Sequence, residues 1–155
     1  MKYFLTLVIA AALSTSLFSQ SAVCGQFHRK NCVSEGGNWQ YNAQSRSGLF
    51  NQGMVSKLRC VIYKGMDYRI SVCCDVIIGD KVNYKIFDSR TNELLFDNAT
   101  ADNTQVFEFQ SVSTRQLVIE VVVPQGPTEK DKHKPTDAAC VGLLIEHKLT
   151  DKQGF

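Results

Sequence analysis

Residues 67–87 read D-Y-R-I-S-V-C-C-D-V-I-I-G-D-K-V-N-Y-K-I-F. From Tyr68 to Ile78 every second residue is apolar, and Val82, Tyr84 and Ile86 resume the alternation after Gly79-Asp80. Successive side chains of a strand point to opposite faces, so this period of two makes one face apolar. Arg69, Ser71, Asp75, Lys81, Asn83 and Lys85 fill much of the other face. The stretch predicts two half-buried strands, with 79–81 as the turn that keeps both apolar faces on one side.

The same reading extends in both directions. Upstream, Leu58, Cys60 and Ile62 alternate with Lys57, Arg59 and Val61. If this strand pairs with the next, a connection over 63–67 sets its apolar face beside Tyr68, Ile70 and Val72. A loop one residue shorter would flip it, and both this argument and the one for 79–81 lapse if the strands arch between sheets. Further upstream, Trp39, Tyr41 and Ala43 alternate as a first strand, and 45–53 reads as a loop. Downstream come a turn over 88–92, the apolar run 94–96, turn-rich 97–103 and a strand holding Val106, Phe107 and Phe109. Residues 117–123, L-V-I-E-V-V-V, are nearly continuous and β-branched before Pro124, which suits a central strand. Residues 125–138 carry a mixed charge cluster over 129–134 and read as an exposed mobile loop; the last strand is 140–147. About eight strands without an amphipathic helix predict an antiparallel β-sandwich or jelly roll.

The chain opens with a basic head at Lys2, an apolar run over 4–13 and a small polar segment over 14–21. That layout is a signal peptide, with cleavage expected between Ser21 and Ala22, and the apolar run is too short to span a bilayer. Val23 is too bulky for a lipoprotein cleavage site, so no lipid anchor through Cys24 is expected. Residues 22–155 are expected to form a single domain with no membrane span. The formal net charge is +2 for the full chain, an even balance that gives no electrostatic footprint for nucleic acid.

All six cysteines lie beyond the expected cut, and an even number in an exported chain argues for disulfides. Cys24 and Cys32 bracket a short segment and are expected to close a disulfide loop within 22–38. The spacing Cys24-x3-His28-x3-Cys32 would otherwise offer three metal ligands, but it lacks an obvious fourth. Cys73 and Cys74 point to opposite faces, so each should pair elsewhere; the expected bonds are Cys73–Cys140 and Cys60–Cys74, the last because both share the inward face.

No catalytic or cofactor motif stands out. His28, His133 and His147 are the three histidines, read as solvated surface residues, and no serine sits in a nucleophile elbow. A cleft joining His28 or His147 to a carboxylate would instead point to a hydrolase. Asp97, Asn98, Asp102 and Asn103 are the weak calcium candidates, since they offer hard oxygen ligands. Their spacing fits no calcium loop, and such residues also favour turns for backbone reasons. Asp75, Asp80 and Asp88 flank strand ends and read the same way. Trp39 and Tyr41, with Phe27 and Phe50, are candidates for a sugar-binding platform or else for core packing. Open sheet edges would accept a partner strand.

The segments 47–50 (S-G-L-F), 63–73 (Y-K-G-M-D-Y-R-I-S-V-C), 85–88 (K-I-F-D) and 140–147 (C-V-G-L-L-I-E-H) resemble a family of small exported bacterial proteins of unknown function. The order of Tyr68-x-Ile-x-Val, Val82-x-Tyr-x-Ile-x-Asp88, Phe107-x-Phe109 and 117–123 is similar, more distantly, to the bacterial pre-peptidase C-terminal domain and its β-sandwich relatives. That resemblance implies a non-catalytic jelly-roll-like module in an exported protein, with no sheet ligand or calcium site matching residue by residue. The expectation is a secreted or periplasmic binding or accessory protein without a cofactor, its partner a protein or a glycan.

Overall fold

Alternating strands with one apolar face cannot bury it alone, and here two sheets close over each other. The computed structural model describes residues 24–32, 36–75, 82–125 and 138–150. The expected signal peptide, the expected 79–81 turn with Asp80, and most of the expected 125–138 loop with His133 lie outside the described residues. Among the described residues there are nine strands, a short helix α1 (Phe27–Asn31) and one turn of 3-10 helix (Asn98–Thr100). The strands are β1 (Gln40–Tyr41), β2 (Arg46–Asn51), β3 (Val55–Ile62), β4 (Met66–Cys74), β5 (Asn83–Asp88), β6 (Leu94–Asp97), β7 (Val106–Ser111), β8 (Arg115–Val122) and β9 (Ala138–Leu149). The first sheet runs β1-β9-β4-β7, with β2 beside β1 on the same edge of β9, and the second runs β3-β8-β5-β6. Every pairing is antiparallel. The chain is an all-β antiparallel sandwich held by two disulfides.

The predicted faces hold, while the predicted neighbours do not. Tyr68, Ile70 and Val72 enter the core from β4, as do Cys60 and Ile62 from β3 and Tyr84 and Ile86 from β5. Yet β3 pairs with β8, β4 pairs with β9 and β7, and β5 pairs with β8 and β6. Both expected hairpins are therefore arches from one sheet to the other. Face parity cannot distinguish the two arrangements, because an apolar face is buried equally well beside its neighbour or across from it. Gly65 supplies the tight end of the first arch, with a φ of 79°.

Residues 117–123 do form most of a central strand, β8, between β3 and β5. The expected loop over 45–53 is largely strand instead: β2 pairs residue for residue with the first half of β9. Its serine, glycine and asparagine content hid an edge strand whose Phe50 packs on the core. Between β1 and β2 the chain breaks step, and the Gln44 side chain bonds both the N–H and the C=O of Val61 at 2.8 and 3.0 Å, tying the sheets together. At the opposite side an aromatic run closes the sandwich: Tyr84–Phe96, Phe96–Phe107 and Phe107–Phe109 have centroids 5.4, 4.0 and 5.3 Å apart.

Candidate binding surface

The outer face of the first sheet is where the sequence places its polar alternates, and the structure covers half of it. Helix α1 lies across β9 and β4, fixed by disulfides Cys24–Cys140 and Cys32–Cys73. The expected Cys24–Cys32 and Cys73–Cys140 bonds are corrected to this crossed pair. Cys73 stands opposite Gly142, two residues along β9 from Cys140, so the two cysteines share a face. Each bonds to the N-terminal segment lying over them rather than to the other. Gly142 is what lets that segment approach: a Cβ there would lie 2.8 Å from the His28 Cα and 2.9 Å from the Cys32 Sγ. The expected Cys60–Cys74 bond is absent, and both residues stand outside the two disulfides. They face the core from different sheets, Cys60 opposite Leu117 and Cys74 opposite Val141. Burial pushes the Cys60 thiol up to about 12, so it stays protonated.

With both flanking cysteines oxidised, Cys24-x3-His28-x3-Cys32 is no metal site, and His28 is not the solvated residue expected. It is 4% exposed. Its Nδ1 meets the Ser47 Oγ at 2.6 Å, and that oxygen also accepts the His28 backbone N–H at 2.9 Å. Its Nε2 meets the Tyr41 hydroxyl at 3.2 Å. Which ring nitrogen carries the hydrogen of the neutral imidazole decides whether Nδ1 accepts from or donates to Ser47. Burial, then the charges of Arg29 and Arg46, hold the His28 pKa below its ordinary value. Protonation would force Ser47 to accept twice and turn its own hydrogen away. A histidine held neutral by the fold binds fewer protons than in the unfolded chain, so stability is complete above about pH 6.5 and falls as pH drops through the lower folded value. Urea unfolding from pH 7.5 to 5 is expected to show wild type losing stability relative to His28→Asn. A pH-independent difference between the two would contradict this.

Beyond the helix, the face carries a row across four strands, Tyr41–Glu146–Arg69–Glu108. Arg69 and Glu146 are 3% and 4% exposed. The guanidinium Nε donates to the Glu146 Oε2 at 2.7 Å, with a second nitrogen at 2.7 Å and Glu108 at 3.8 Å. Trp39 covers the pair, its ring centroid 4.8 Å from the Arg69 guanidinium carbon and 4.9 Å from the Lys148 Nζ. Tyr41, 39% exposed, has Arg29 over its ring at 4.0 Å. The two aromatics proposed as a platform thus share this outer face, each already engaged with a cation. Phe27 sits on α1, whereas Phe50 belongs to the core side.

A groove of about 670 Å³ opens next to Trp39, bounded by Asp67, Glu108, Gln110, Lys148 and Thr150. It leads to the end of the sandwich formed by the 63–65 arch, the 112–114 turn and the end of β9. Those three segments are tied together: the Gly65 N–H donates to the Ser111 C=O at 2.9 Å, the Thr150 N–H to the Gly65 C=O at 3.1 Å, and the Lys64 N–H to the Thr114 Oγ1 at 3.1 Å. This end exposes three large apolar side chains, Tyr63, Val112 and Leu149, at 55%, 68% and 75%. No motif marks it, because it comes from three segments far apart in sequence. The only available signal was apolar residues at strand ends, where polar turn formers are usual.

The remaining candidates are structural. Asp97 caps the 3-10 turn by accepting the Ala99 N–H at 3.0 Å and pairs with Lys85 at 3.1 Å. The fully buried Asn98 accepts the Tyr84 N–H at 2.8 Å and donates to the Val82 C=O at 3.0 Å. Asp102 and Asn103 hold left-handed turn positions, φ 52° and 54°. Among the described residues no group of three or more His, Cys, Asp or Glu is placed to hold a metal ion. His147 sits on the inner side against Tyr68, centroids 6.2 Å apart, with Nδ1 buried and without a hydrogen-bond partner. Among the described residues no helix is long and apolar enough to cross a membrane.

The class these features define is a disulfide-stapled antiparallel β-sandwich with a polar, aromatic outer face and an apolar loop end. No family model matches the chain, and no curated protein matches it. A solved structure, the periplasmic inhibitor of g-type lysozyme from Aeromonas hydrophila, is similar at 11% identity and a TM-score of 0.47, over 75% of this chain and 91% of that one. A likeness of that degree is too loose to carry function across.

Proposed function

We propose that this chain is an exported, non-catalytic binding protein that engages a protein partner through the loop end of its sandwich. The observation that carries the reading is that Tyr63, Val112 and Leu149 are all exposed on the three segments tied together at that end. Exposed apolar residues scattered singly need no explanation, but a cluster rimmed by polar groups is the anatomy of a protein interface. Two disulfides favour an oxidising compartment, in the periplasm, at the cell surface or outside the cell. A relation to pre-peptidase C-terminal modules remains part of the proposal, since those too act without catalysis.

The test is crosslinked capture with the tagged mature protein from envelope and medium fractions. Expected is a partner captured by wild type, lost with Val112→Asp and with the pair Tyr63→Ser and Leu149→Ser, and retained by Lys57→Ala on the other sheet. Capture indifferent to the loop-end changes would sink the reading. A second reading, carbohydrate binding, is favoured by Tyr41 and Trp39 sharing one outer face; a glycan panel read with Trp39→Ala tests it.

A further inference from the structure

On the other side of the same end, the turn after β5 and the turn before β8 enclose a second groove of about 570 Å³. Asp88 lines it together with Ser89, Arg90, Thr114, Arg115 and Gln116. We propose that this groove binds an oxyanion of the phosphate or sulfate type, with Arg115 and Arg90 as its cationic ligands and the Ser113 and Thr114 hydroxyls as further donors.

The argument starts from Arg115. Its Nε is buried and has no hydrogen-bond partner, and its remaining contact is one long approach of Nη1 to the Asp88 Oδ2 at 3.5 Å. A guanidinium carries five N–H donors in a fixed fork, and a buried donor without an acceptor is costly enough to need an explanation. Asp88 does not supply it: its Oδ2 reaches only Nη1, and at 3.5 Å. Its Oδ1 is taken up by the backbone N–H groups of Arg90 and Thr91 at 2.9 and 3.1 Å. The Arg115 side chain is 34% exposed and lines the groove, so a small rotation presents its fork to the space beside it. Two arginines against one carboxylate leave the groove cationic. Ser89 donates its own hydroxyl to the Gln116 Oε1 at 3.0 Å, which leaves the Gln116 amide nitrogen as another donor. Two guanidinium groups with hydroxyl and amide donors suit an anion whose several oxygens accept at once. The volume exceeds what a lone ion fills, so an anion carried on a sugar-sized group fits as well as the free ion.

The test is titration of ¹⁵N-labelled mature protein with inorganic phosphate at constant ionic strength, following the arginine Nε–H resonances. Expected is a saturable shift at Arg115 and Arg90, none at Arg59 on the outer face of the second sheet, and loss of binding in Arg115→Gln. Arg90→Gln is expected to weaken binding by about tenfold, as for one charge-assisted hydrogen bond. Its exposed side chain makes it the deciding variant if Arg115→Gln fails to fold. Glucose 6-phosphate binding more tightly than phosphate supports an anion borne on a sugar; equal affinity supports the ion alone. A shift that never saturates, or that appears equally at Arg59, would overturn the proposal. The outcome is independent of partner capture.

Discussion

Arg69→Ala is expected to destabilise the fold by about 3–5 kcal/mol, because it leaves the buried Glu146 carboxylate without its cation. The geometry sets the size of the effect. Glu146 is 4% exposed, and two Arg69 nitrogens reach its Oε2 at 2.7 Å. The reverse change, Glu146→Ala, should cost less, because Arg69 keeps Glu108 at 3.8 Å and Trp39 over its guanidinium. Replacing both together, Arg69→Met with Glu146→Leu, removes attraction and desolvation at once and is expected to be near neutral or stabilising. Glu108 is the control. It approaches the same arginine at 3.8 Å with its side chain 55% exposed, so Glu108→Ala should cost no more than about 1 kcal/mol. Urea midpoints at constant m-value measure all four. A loss under about 1 kcal/mol for Arg69→Ala would mean that water reaches the pair and that Trp39 does not cover it.

That buried pair also marks where the sequence stops being informative. Alternation assigned Arg69 to the polar face of β4, and the register confirms it opposite Glu146 and Glu108. Alternation cannot say that a polar face will be covered, because the cover comes from Trp39 and α1, distant in sequence. The same limit explains the cysteines. Cys73 and Cys74 do face opposite ways, Cys74 packing on the core while Cys73 bonds to Cys32. Choosing partners needed the position of α1, which rests on Gly142 having no side chain. The arches of β3 into β4 and of β4 into β5 were hidden for a related reason: which apolar faces meet, side by side or face to face, is a tertiary fact. Turn chemistry was more legible. Asp97, Asp102 and Asn103 do serve turns, since such residues satisfy local backbone groups whatever the surroundings. The loop-end surface had no local signature at all, since Tyr63, Val112 and Leu149 come together only through the ties among three separate segments.

The crossed disulfides carry the second large expectation. Peptide mapping without reduction should recover Cys24 linked to Cys140 and Cys32 linked to Cys73, and a Cys24–Cys32 peptide would refute the placement of α1. The two bonds span 116 and 41 residues of sequence. A crosslink acts mainly by restricting the unfolded chain, and the restriction grows with the logarithm of the loop it closes. Replacing Cys24 and Cys140 by serine should therefore cost roughly 5 kcal/mol, and replacing Cys32 and Cys73 roughly 4 kcal/mol. The gap is small because the dependence is logarithmic, so what separates the variants is what each releases. Both loosen α1, and both should free His28 from Ser47 and Tyr41, flattening the acid-side loss of stability described for wild type. Cys60 gives an internal clock for the same experiment. At 1% exposure and with its thiol pushed up to about 12, it should resist alkylation until the sandwich opens. Its labelling rate in each variant then reads the opening of the core directly. Rapid labelling of Cys60 in the wild-type protein under native conditions would mean that the sheets part without unfolding, and that the staples hold only the helix.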